Sequence, residues 1–300
     1  MLSSRIIKDL AHRVGFDLCG ITACRHLAMN EAKFHEWLAN GYQSSLEYME
    51  RNSEKRFDPR ILVEESKTAV VCAISYKNHA SGGYPAEHRA KVASYACMVD
   101  YHTTIRNMLR QMAQELTALY PSLSGRAFVD TAPLAEKQLA VDAGLGWIGR
   151  QSLVVTPQFG TYILLGELIL CEETDVYDKP FEGSRCGNCH NCVDSCPTGA
   201  IVQDKVINTG RCISCHTIEK EPPEGIDLHG WIFGCDCCQN CCPYNRRSPL
   251  HTNPALDPVF DPVAMTPEDW LRMTPEEFKS RLKQTPLSRS GLERIKGNVK

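Results

Sequence analysis

The sequence has no long apolar run and no strong excess of charge of either sign. No window approaches the roughly 18 uninterrupted apolar residues that a membrane helix needs. The first residues, MLSSRIIKDLAHRVGF, contain no apolar core of a secretory signal, so we expect a cytoplasmic protein without a membrane partner. The formal net charge is −3, which argues against a chain that binds polyanions over its whole surface.

Cysteine, by contrast, is abundant, since the 300 residues contain 16. Because the cytosol keeps thiols reduced, this number favours metal binding or catalysis over disulfide bonds. Eleven of the cysteines lie between Cys186 and Cys242. We expect the remaining five to be small apolar residues of the core: Cys19, Cys24, Cys72, Cys97 and Cys171.

The cysteine-rich segment contains two related patterns. CGNCHNCVDSCPTGAI (186–201) has the spacing C-x2-C-x2-C-x3-C-P, which is typical of ferredoxins with two 4Fe–4S clusters. In such proteins the fourth cysteine ligates the other cluster. A second set follows downstream, with Cys212 and then C-x2-C-x3-C-P from residue 235. Reciprocal exchange assigns Cys186, Cys189, Cys192 and Cys242 to one cluster, and Cys196, Cys212, Cys235 and Cys238 to the other.

Other uses of these cysteines fit the pattern less well. Zinc also takes C-x2-C pairs, but the crowded run and the C-P endings favour cubane clusters. The c-type haem pattern C-x-x-C-H occurs at 186–190 and 212–216, but such haems are attached outside the cytoplasm. A redox dithiol would leave most of the cysteines unexplained. Cys215, Cys237 and Cys241 exceed the eight ligands, so a different choice of ligand among close neighbours stays open.

The chain divides by composition into the segments 1–180, 181–250 and 251–300. The first predicts an α/β or α+β domain with one mixed sheet, with strands at 18–22, 68–76, 126–130, 152–156 and 161–170 and a long helix over 100–120. The second has few apolar runs, so we expect metal to organise a ferredoxin-like domain there. In the third, Thr266 and Thr274 each begin a helix with capping residues.

The C-terminal residues are basic. Between Lys279 and Lys300 there are seven Lys or Arg residues and one acid, Glu293. Two interpretations are open, a contact with a phosphate backbone and a solvated helix end.

Several segments of the chain resemble the epoxyqueuosine reductases, which are cobalamin- and iron–sulfur-dependent enzymes of queuosine biosynthesis in tRNA. The resemblance spans roughly residues 5–250, and the order of its motifs is specific. The matching segments are KRFDPR (55–60), DYH (100–102), VDTAPLAEKQLAVDAGLGWIGRQSLVVTPQFGTYILLGEL (129–168), CGNCHNCVDSCPTGAI (186–201), RCIS (211–214) and GCDCCQNCCPYN (234–245).

The resemblance implies an activity and a second cofactor. The family removes the epoxide oxygen of epoxyqueuosine at the wobble position of tRNA, which leaves queuosine. A cluster reduces the cobalt of a bound cobalamin, the cobalt attacks the epoxide, and an acid protonates the departing oxygen. Asp130 matches the family's proton donor, and burial against an apolar corrin would favour its acid form. The alternative is that Asp130 caps the following helix.

Further cofactor contacts follow from the same resemblance. Arg56 matches a basic residue that binds cobalamin, although a surface ion pair is the alternative. Tyr101 and His102 match residues that line the pocket. The other matching positions are Arg150, Val154, Leu165, Ile213 and Ser214. The cobalamin motif D-x-H-x-x-G is absent, as it is in the family.

The chain also departs from the family pattern. Arg150-Gln151 replaces the usual Lys-Asn, and Cys215 replaces an aromatic residue. The sequence ends at Lys300, where most members continue into a helical-repeat domain that grips tRNA. We therefore expect a short form in which Arg246, Arg247 and the basic C-terminus contact the tRNA. An external electron donor and a monomer are also expected. The alternatives are a related reductase of a small molecule, such as a dehalogenase, and an electron-transfer protein without its own substrate.

Overall fold

The computed structural model describes residues 1–219, 222–223 and 225–299. The helices are α1 (Ser4–Arg13), α2 (Ala28–Ala39), α3 (Ser53–Phe57), α4 (Pro59–Leu62), α5 (Tyr101–Leu119), α6 (Glu136–Asp142), α7 (Asn191–Asp194), α8 (Ile213–Ile218), α9 (Cys237–Asn240), α10 (Pro243–Arg247), α11 (Pro267–Arg272), α12 (Pro275–Arg281) and α13 (Leu292–Asn298). The strands are β1 (Leu18–Ala23), β2 (Thr68–Ser75), β3 (Lys91–Val92), β4 (Gly125–Phe128), β5 (Trp147–Ile148), β6 (Val154–Val155), β7 (Ile163–Leu170), β8 (Ile201–Gln203), β9 (Val206–Ile207) and β10 (Trp231–Phe233). Within the described ranges, no helix combines the length and the apolar character needed to pass through a bilayer.

Four strands form the central sheet in the order β1-β2-β7-β4. The α/β content agrees with the prediction, but the expectation of a mixed sheet is wrong, because every neighbouring pair is antiparallel. The physical reason is the order of the strands: β2 and β4 run in the same direction but are not neighbours, because β7 lies between them and pairs with both in the opposite direction. The amide of Cys24 donates to the carbonyl of Lys67 (2.8 Å), so the connection from β1 to β2 starts and finishes at one end. The predicted strand 152–156 is reduced to β6, which pairs with β5 outside this sheet.

Different helices cover the two faces of the sheet. One face packs against α1 and α5, where Leu10, Ile105 and Leu109 are buried. The other face packs against α6 through Leu139 and carries Phe128 of β4. All eight residues of β2 are buried, because this strand is covered on both faces. Each large aliphatic side chain buried here stabilises the fold by roughly 1.5–3 kcal/mol.

A second core lies between β3, β10 and the C-terminal helices. Trp270, Phe233 and Ile295 are fully buried in it. Helices α11 and α12 begin with capping boxes at Thr266 and Thr274, as the sequence predicted. The division into 1–180, 181–250 and 251–300 stays a prediction, and this core shows that the third segment packs against residues of the other two.

The cysteine-rich segment consists of α7 to α10 and the β8–β9 hairpin. Polar contacts attach it to the first segment. The indole N–H of Trp37 donates to the carbonyl of Ile207 (2.7 Å), and the amide of Thr209 donates to the carbonyl of Tyr42 (2.9 Å). These bonds place the hairpin beside the end of α2.

The close packing of α6 on β1 gives a prediction for Gly20. A β carbon added at Gly20 would lie 2.1 Å from the carbonyl oxygen of Ala143, at the end of α6, so the backbone would have to move. We expect Gly20→Ala to lower the free energy of unfolding by about 1–3 kcal/mol, measured from urea transitions of the cluster-loaded protein. Gly82→Ala is the control, because its β carbon would meet nothing within 4 Å. Equal stability of the two variants would contradict the tight contact.

Candidate active site and cluster-binding segment

The first predicted set of cluster ligands surrounds one cavity. This cavity of about 220 Å³ is lined by Cys186, Cys189, Cys192 and Cys242, with Tyr244 among the other lining residues. Cys242 is the N-cap of α10 and comes from far along the chain, yet it faces the same space as the other three. All sixteen cysteines are free thiols. Four thiols around one cavity are the donor set that a cubane cluster takes, so these residues fit such a cluster.

The thiols of the second predicted set influence one another's pKa values. Burial raises the pKa of the Cys238 thiol well above its usual value, and the neighbouring thiols of Cys212 and Cys196 raise it further. Burial raises the pKa of Cys212 as well, with Cys196 again contributing. A hydrogen bond with Cys237 and burial raise the pKa of Cys235, to which Cys238 adds. The charges of these four thiols thus act on one another, as expected for ligands of one cluster.

The three additional cysteines lie beside these sets. The hydrogen bond with Cys235 lowers the pKa of Cys237 to about 7. The Cys241 thiol donates to the carbonyl of Cys238 (3.5 Å), and Cys215 is buried in α8. Because a thiol of low pKa is the better metal ligand, the choice between Cys235 and Cys237 stays open.

Two N–H groups donate to predicted ligand sulfurs. The indole of Trp147 donates to Sγ of Cys186 (3.3 Å), and the amide of Ala200 donates to Sγ of Cys196 (3.2 Å). Hydrogen bonds to ligand sulfurs are among the factors that set the reduction potential of a cluster. The GLGWIGR segment therefore contacts the first ligand set directly, through Trp147.

Arg150, predicted as a cobalamin contact, binds the loop of the first ligand set. Its Nε donates to the carbonyl of Cys189 (2.9 Å), and one terminal nitrogen donates to the carbonyl of Gly187 (2.9 Å). The other terminal nitrogen forms an ion pair with Asp204. All three contacts use the planar fork of the guanidinium, which a lysine does not reproduce.

Asp130 lies just beyond the end of β4 and meets the first turn of α5. Its Oδ2 accepts hydrogen bonds from the hydroxyl of Tyr101 (2.8 Å) and from Nε2 of His102 (3.2 Å). Asp100 is the N-cap of α5 and so positions both partners at the start of this helix. Asp130 has the left-handed φ of +51°, which costs of order 1–3 kcal/mol for a residue with a side chain. It does not cap α6, whose N-cap is Ala135.

Hydrogen bonds within this group decide its protonation states. Burial alone would lower the pKa of His102, but hydrogen bonds with Asp100 and Asp130 outweigh it and raise the pKa to about 9. The same bond from His102 lowers the pKa of Asp130 and outweighs burial. Burial does favour the acid form of Asp130, as expected, but the hydrogen bond from His102 acts in the opposite direction and is the larger effect; the expected effect of a bound corrin stays a prediction. At neutral pH the site holds its proton on His102, and Asp130 is ionised.

Two carboxyl groups behind Asp130 were missed in the sequence analysis. Glu167 of β7 is completely buried, and neither of its carboxyl oxygens meets a donor among the described residues. Oε1 of Glu136, in the first turn of α6, accepts a hydrogen bond from the backbone amide of Asp130 (2.6 Å). Burial and the charge of Asp130 raise the pKa of Glu136 to about 7. An acidic residue within the apolar strand TYILLGELIL was the sequence signal for Glu167.

The other predicted contacts from the first segment are Arg56, Val154 and Leu165. The guanidinium of Arg56 lies over the ring of Phe34 (5.5 Å), and its buried Nε has no partner among the described residues. Val154 and Leu165 belong to the apolar cluster on the α6 face of the sheet.

Two other predicted contacts lie in α8, and one residue of the C-terminal segment acts on Asp130. Ile213 is buried and Ser214 is partly exposed at the start of α8. Arg289 lies close enough for its charge to lower the pKa of Asp130, although it donates to Glu219 (2.8 and 2.9 Å). A residue of the C-terminal segment therefore contributes to the electrostatic environment of Asp130.

Family models match two parts of the chain. Residues 56–131 match the model described as "Epoxyqueuosine reductase QueG, DUF1730". Residues 185–245 match the "4Fe-4S double cluster binding domain". The second match confirms the predicted cluster-binding class of the cysteine segment.

Curated relatives match over nearly the full length. The epoxyqueuosine reductase of Cellulophaga algicola is 36% identical, and the alignment covers 99% of this chain and 96% of the relative. That of Cyclobacterium marinum is 37% identical, with 99% and 95% coverage. The Pseudomonas aeruginosa enzyme is 35% identical, with 98% and 82% coverage.

Solved structures of epoxyqueuosine reductases are similar as well. One contains an epoxyqueuosine-modified tRNA stem loop; it is 28% identical with a TM-score of 0.88 and covers 98% of this chain and 79% of its own. A structure from Bacillus subtilis, with its catalytic aspartate loop swung out of the active site, is 27% identical with a TM-score of 0.86 and the same coverage.

The shared cavity leads to a prediction for Cys242. We expect Cys242→Ser to lose the first cluster, so that iron content and 4Fe–4S absorbance fall by about half. Cys241→Ser is the matched control, because its neighbour Cys242 and not Cys241 lines the cavity. If the Cys242 variant kept both clusters and the Cys241 variant lost one, the assignment would be wrong.

Proposed function

Since the chain belongs to the epoxyqueuosine reductase family and carries out that family's reductive reaction, we propose that Asp130 delivers the proton to the departing epoxide oxygen. The observation that carries this proposal is the pair of hydrogen bonds that Oδ2 of Asp130 accepts from Tyr101 and His102. The oxygen leaves as water, so the reaction consumes a pair of electrons and a pair of protons. Protein groups must supply protons where solvent is excluded.

The cofactors of this reaction are two 4Fe–4S clusters and a cobalamin. We propose the ligands of the clusters to be Cys186, Cys189, Cys192 and Cys242, and Cys196, Cys212, Cys235 and Cys238. Bound cobalamin supplies a strongly nucleophilic reduced metal centre. The residues around Asp130 fit such a group: Arg56 has a buried nitrogen without a partner among the described residues, and Val154 and Leu165 offer an apolar side. Ile213 and Ser214 would complete the contact from α8.

Three side chains, those of Asp100, His102 and Asp130, hold and transfer this proton. His102 holds it on Nε2 and is oriented by Asp100, whose Oδ1 lies 2.7 Å from Nδ1. The proton passes to Oδ2 of Asp130 and from there to the oxygen of the substrate. Tyr101 donates to the same Oδ2 and stacks on His102 with ring centroids 4.2 Å apart, which fixes both partners.

We propose that the tRNA anticodon stem-loop is held by basic residues around this site. Arg246 and Arg247 are exposed at the end of α10. Exposed basic residues of the C-terminal segment are Lys279, Arg281 and Lys283; Lys300 lies outside the described residues. A local basic surface attracts phosphates although the net charge of the chain is −3. The external electron donor and the monomeric state stay predictions.

The first test replaces the proposed donor. We expect Asp130→Asn to keep both clusters and to bind cobalamin but to lose turnover by about 10²–10⁴-fold, because an amide does not pass on a proton. Turnover is measured anaerobically as conversion of a stem-loop bearing epoxyqueuosine to one bearing queuosine, by mass spectrometry. Asp9→Asn on the exposed side of α1 serves as the control. An Asp130 variant as active as this control would remove Asp130 from the mechanism.

The second test uses pH. Because the pKa of His102 is raised to about 9, the proton is present below that pH and is lost as the pH rises through it. We expect turnover to fall through pH 9 and His102→Gln to be slower and to lack this decline. A decline that persists in the His102 variant would assign it to another group.

A further inference from the structure

Three polar side chains of the second cysteine pattern are buried. GCDCCQNCCPYN (234–245) contains Asp236, Gln239 and Asn245 between and after its cysteines, and each of them is at most 8% exposed. None of the three is a predicted cluster ligand. A buried donor or acceptor without a hydrogen-bond partner costs free energy, so such groups are normally paired. The partners of these side chains therefore identify the part of the molecule that holds the segment.

One partner is Thr161, a buried residue that lies two positions before β7. Its hydroxyl accepts a hydrogen bond from Nδ2 of Asn245 (2.8 Å) and donates to Oε1 of Gln239 (2.9 Å). Its backbone amide donates to Oδ1 of Asn245 (2.6 Å). Thr161 therefore bonds two side chains of the cysteine-rich segment at once, although it is far from them in sequence.

Further hydrogen bonds connect these groups into one network. Nε2 of Gln239 donates to Oδ1 of Asp236 (3.1 Å), and Oδ2 of Asp236 accepts from the amide of Ser94 (2.7 Å). The hydroxyl of Tyr76, which follows β2, donates to Oε1 of Gln239 (3.3 Å). Nδ2 of Asn245 also donates to the carbonyl of Gln239 (2.7 Å). Both side-chain amides are thus paired at their nitrogen and at their oxygen, and a fully paired buried network favours a single arrangement of its members.

The network acts on the part of the chain that carries predicted ligands of both clusters. Residues 235–245 contain Cys235 and Cys238 of the second set and Cys242 of the first. The side chains of the network alternate with these cysteines along the segment, so only short stretches of backbone between them are free to move. The two additional cysteines in this range are held in the same way, and the result does not depend on which close neighbour is the ligand.

We propose that Thr161 is a positioning residue for both clusters, because it holds the segment 235–245 on one end of the central sheet through Gln239 and Asn245. That end is formed by the last residue of β2 and the first of β7, which pair with each other. Thr161 acts through its neighbours and not on the reacting atoms. The proposal rests on the proposed ligand function of this segment, but not on the role of Asp130.

Iron release from the anaerobically loaded protein to a chelator tests the proposal without turnover. Thr161→Val removes the hydroxyl at nearly constant volume and leaves one N–H of Asn245 without its acceptor. Because an unpaired buried donor favours local opening, the segment should open, and iron should be released, about tenfold faster than in the wild type. Thr161→Ser restores the hydroxyl and should release iron at close to the wild-type rate.

Thr68→Val is the matched control, since it also removes a buried hydroxyl from the sheet. Thr68 begins β2 at the other end of the sheet, where its hydroxyl donates to the carbonyl of Glu172 (2.6 Å). At a temperature well below unfolding, this variant should release iron at the wild-type rate. Amide hydrogen exchange locates the change, because the protection of residues 235–245 should fall in Thr161→Val and not in Thr68→Val.

Equal rates of iron release from the two valine variants would overturn the proposal, as would a Thr161→Ser that releases iron as fast as Thr161→Val. Should Thr161→Val fail to fold, Tyr76→Phe removes the other donor to Oε1 of Gln239 and should release iron about threefold faster than the wild type. An unchanged rate in this variant would then contradict the network.

Failure of the proposed ligand function has a different result. In that case the wild type would hold no 4Fe–4S iron after anaerobic loading, whereas failure of the positioning role would leave the iron in place and the rates of its release equal.

Discussion

The pairing of β2 with β7 is the constraint on which the rest of the structure depends. Eight residue pairs, from Thr68↔Leu170 to Ser75↔Ile163, join two strands in the centre of the sheet. Because β2 is buried along its whole length, a shift of register by one residue would exchange its two faces and expose the apolar side chains. β7 also pairs with β4 on its other edge. The register of that pairing fixes the position of the end of β4, and therefore of Asp130, which follows it.

This sheet brings together carboxyl groups with lowered and with raised pKa values, near the loop that carries Asp130. The α5 face supplies Tyr101 and His102, and the α6 face supplies Glu136 and Glu167. Asp130 is ionised because His102 donates to it, whereas Glu136 and Glu167 are driven toward protonation by burial and by their neighbouring carboxyl groups. The environments of these carboxyl groups thus push their pKa values apart. Such a difference in pKa is common in sites that transfer protons.

Much of this site could be predicted from sequence. The spacing of the cysteines identified the cluster-binding segment and predicts both ligand sets, since ligands of a cubane come from short, regular intervals with a proline after the last. Resemblance to the family placed Tyr101, His102 and Asp130 together, and the structure does the same. The charge states could not be predicted, because the pKa of Asp130 depends on a hydrogen bond from a residue on another element. The antiparallel sheet was missed for a related reason, since alternating helices and strands do not say whether a connection crosses over or returns.

The amino-acid sequence by itself determined the cluster-binding class of residues 186–242, the α/β content and the membership of an enzyme family, because these depend on residue types and on distances along the chain. Only the tertiary structure decided that Arg150 binds the cluster loop, that the C-terminal helices share a core with residues of the other segments, and that Glu167 is completely buried. Contacts between residues far apart in the chain, and the burial that sets their charge, arise only when the sheet and its helices are packed together.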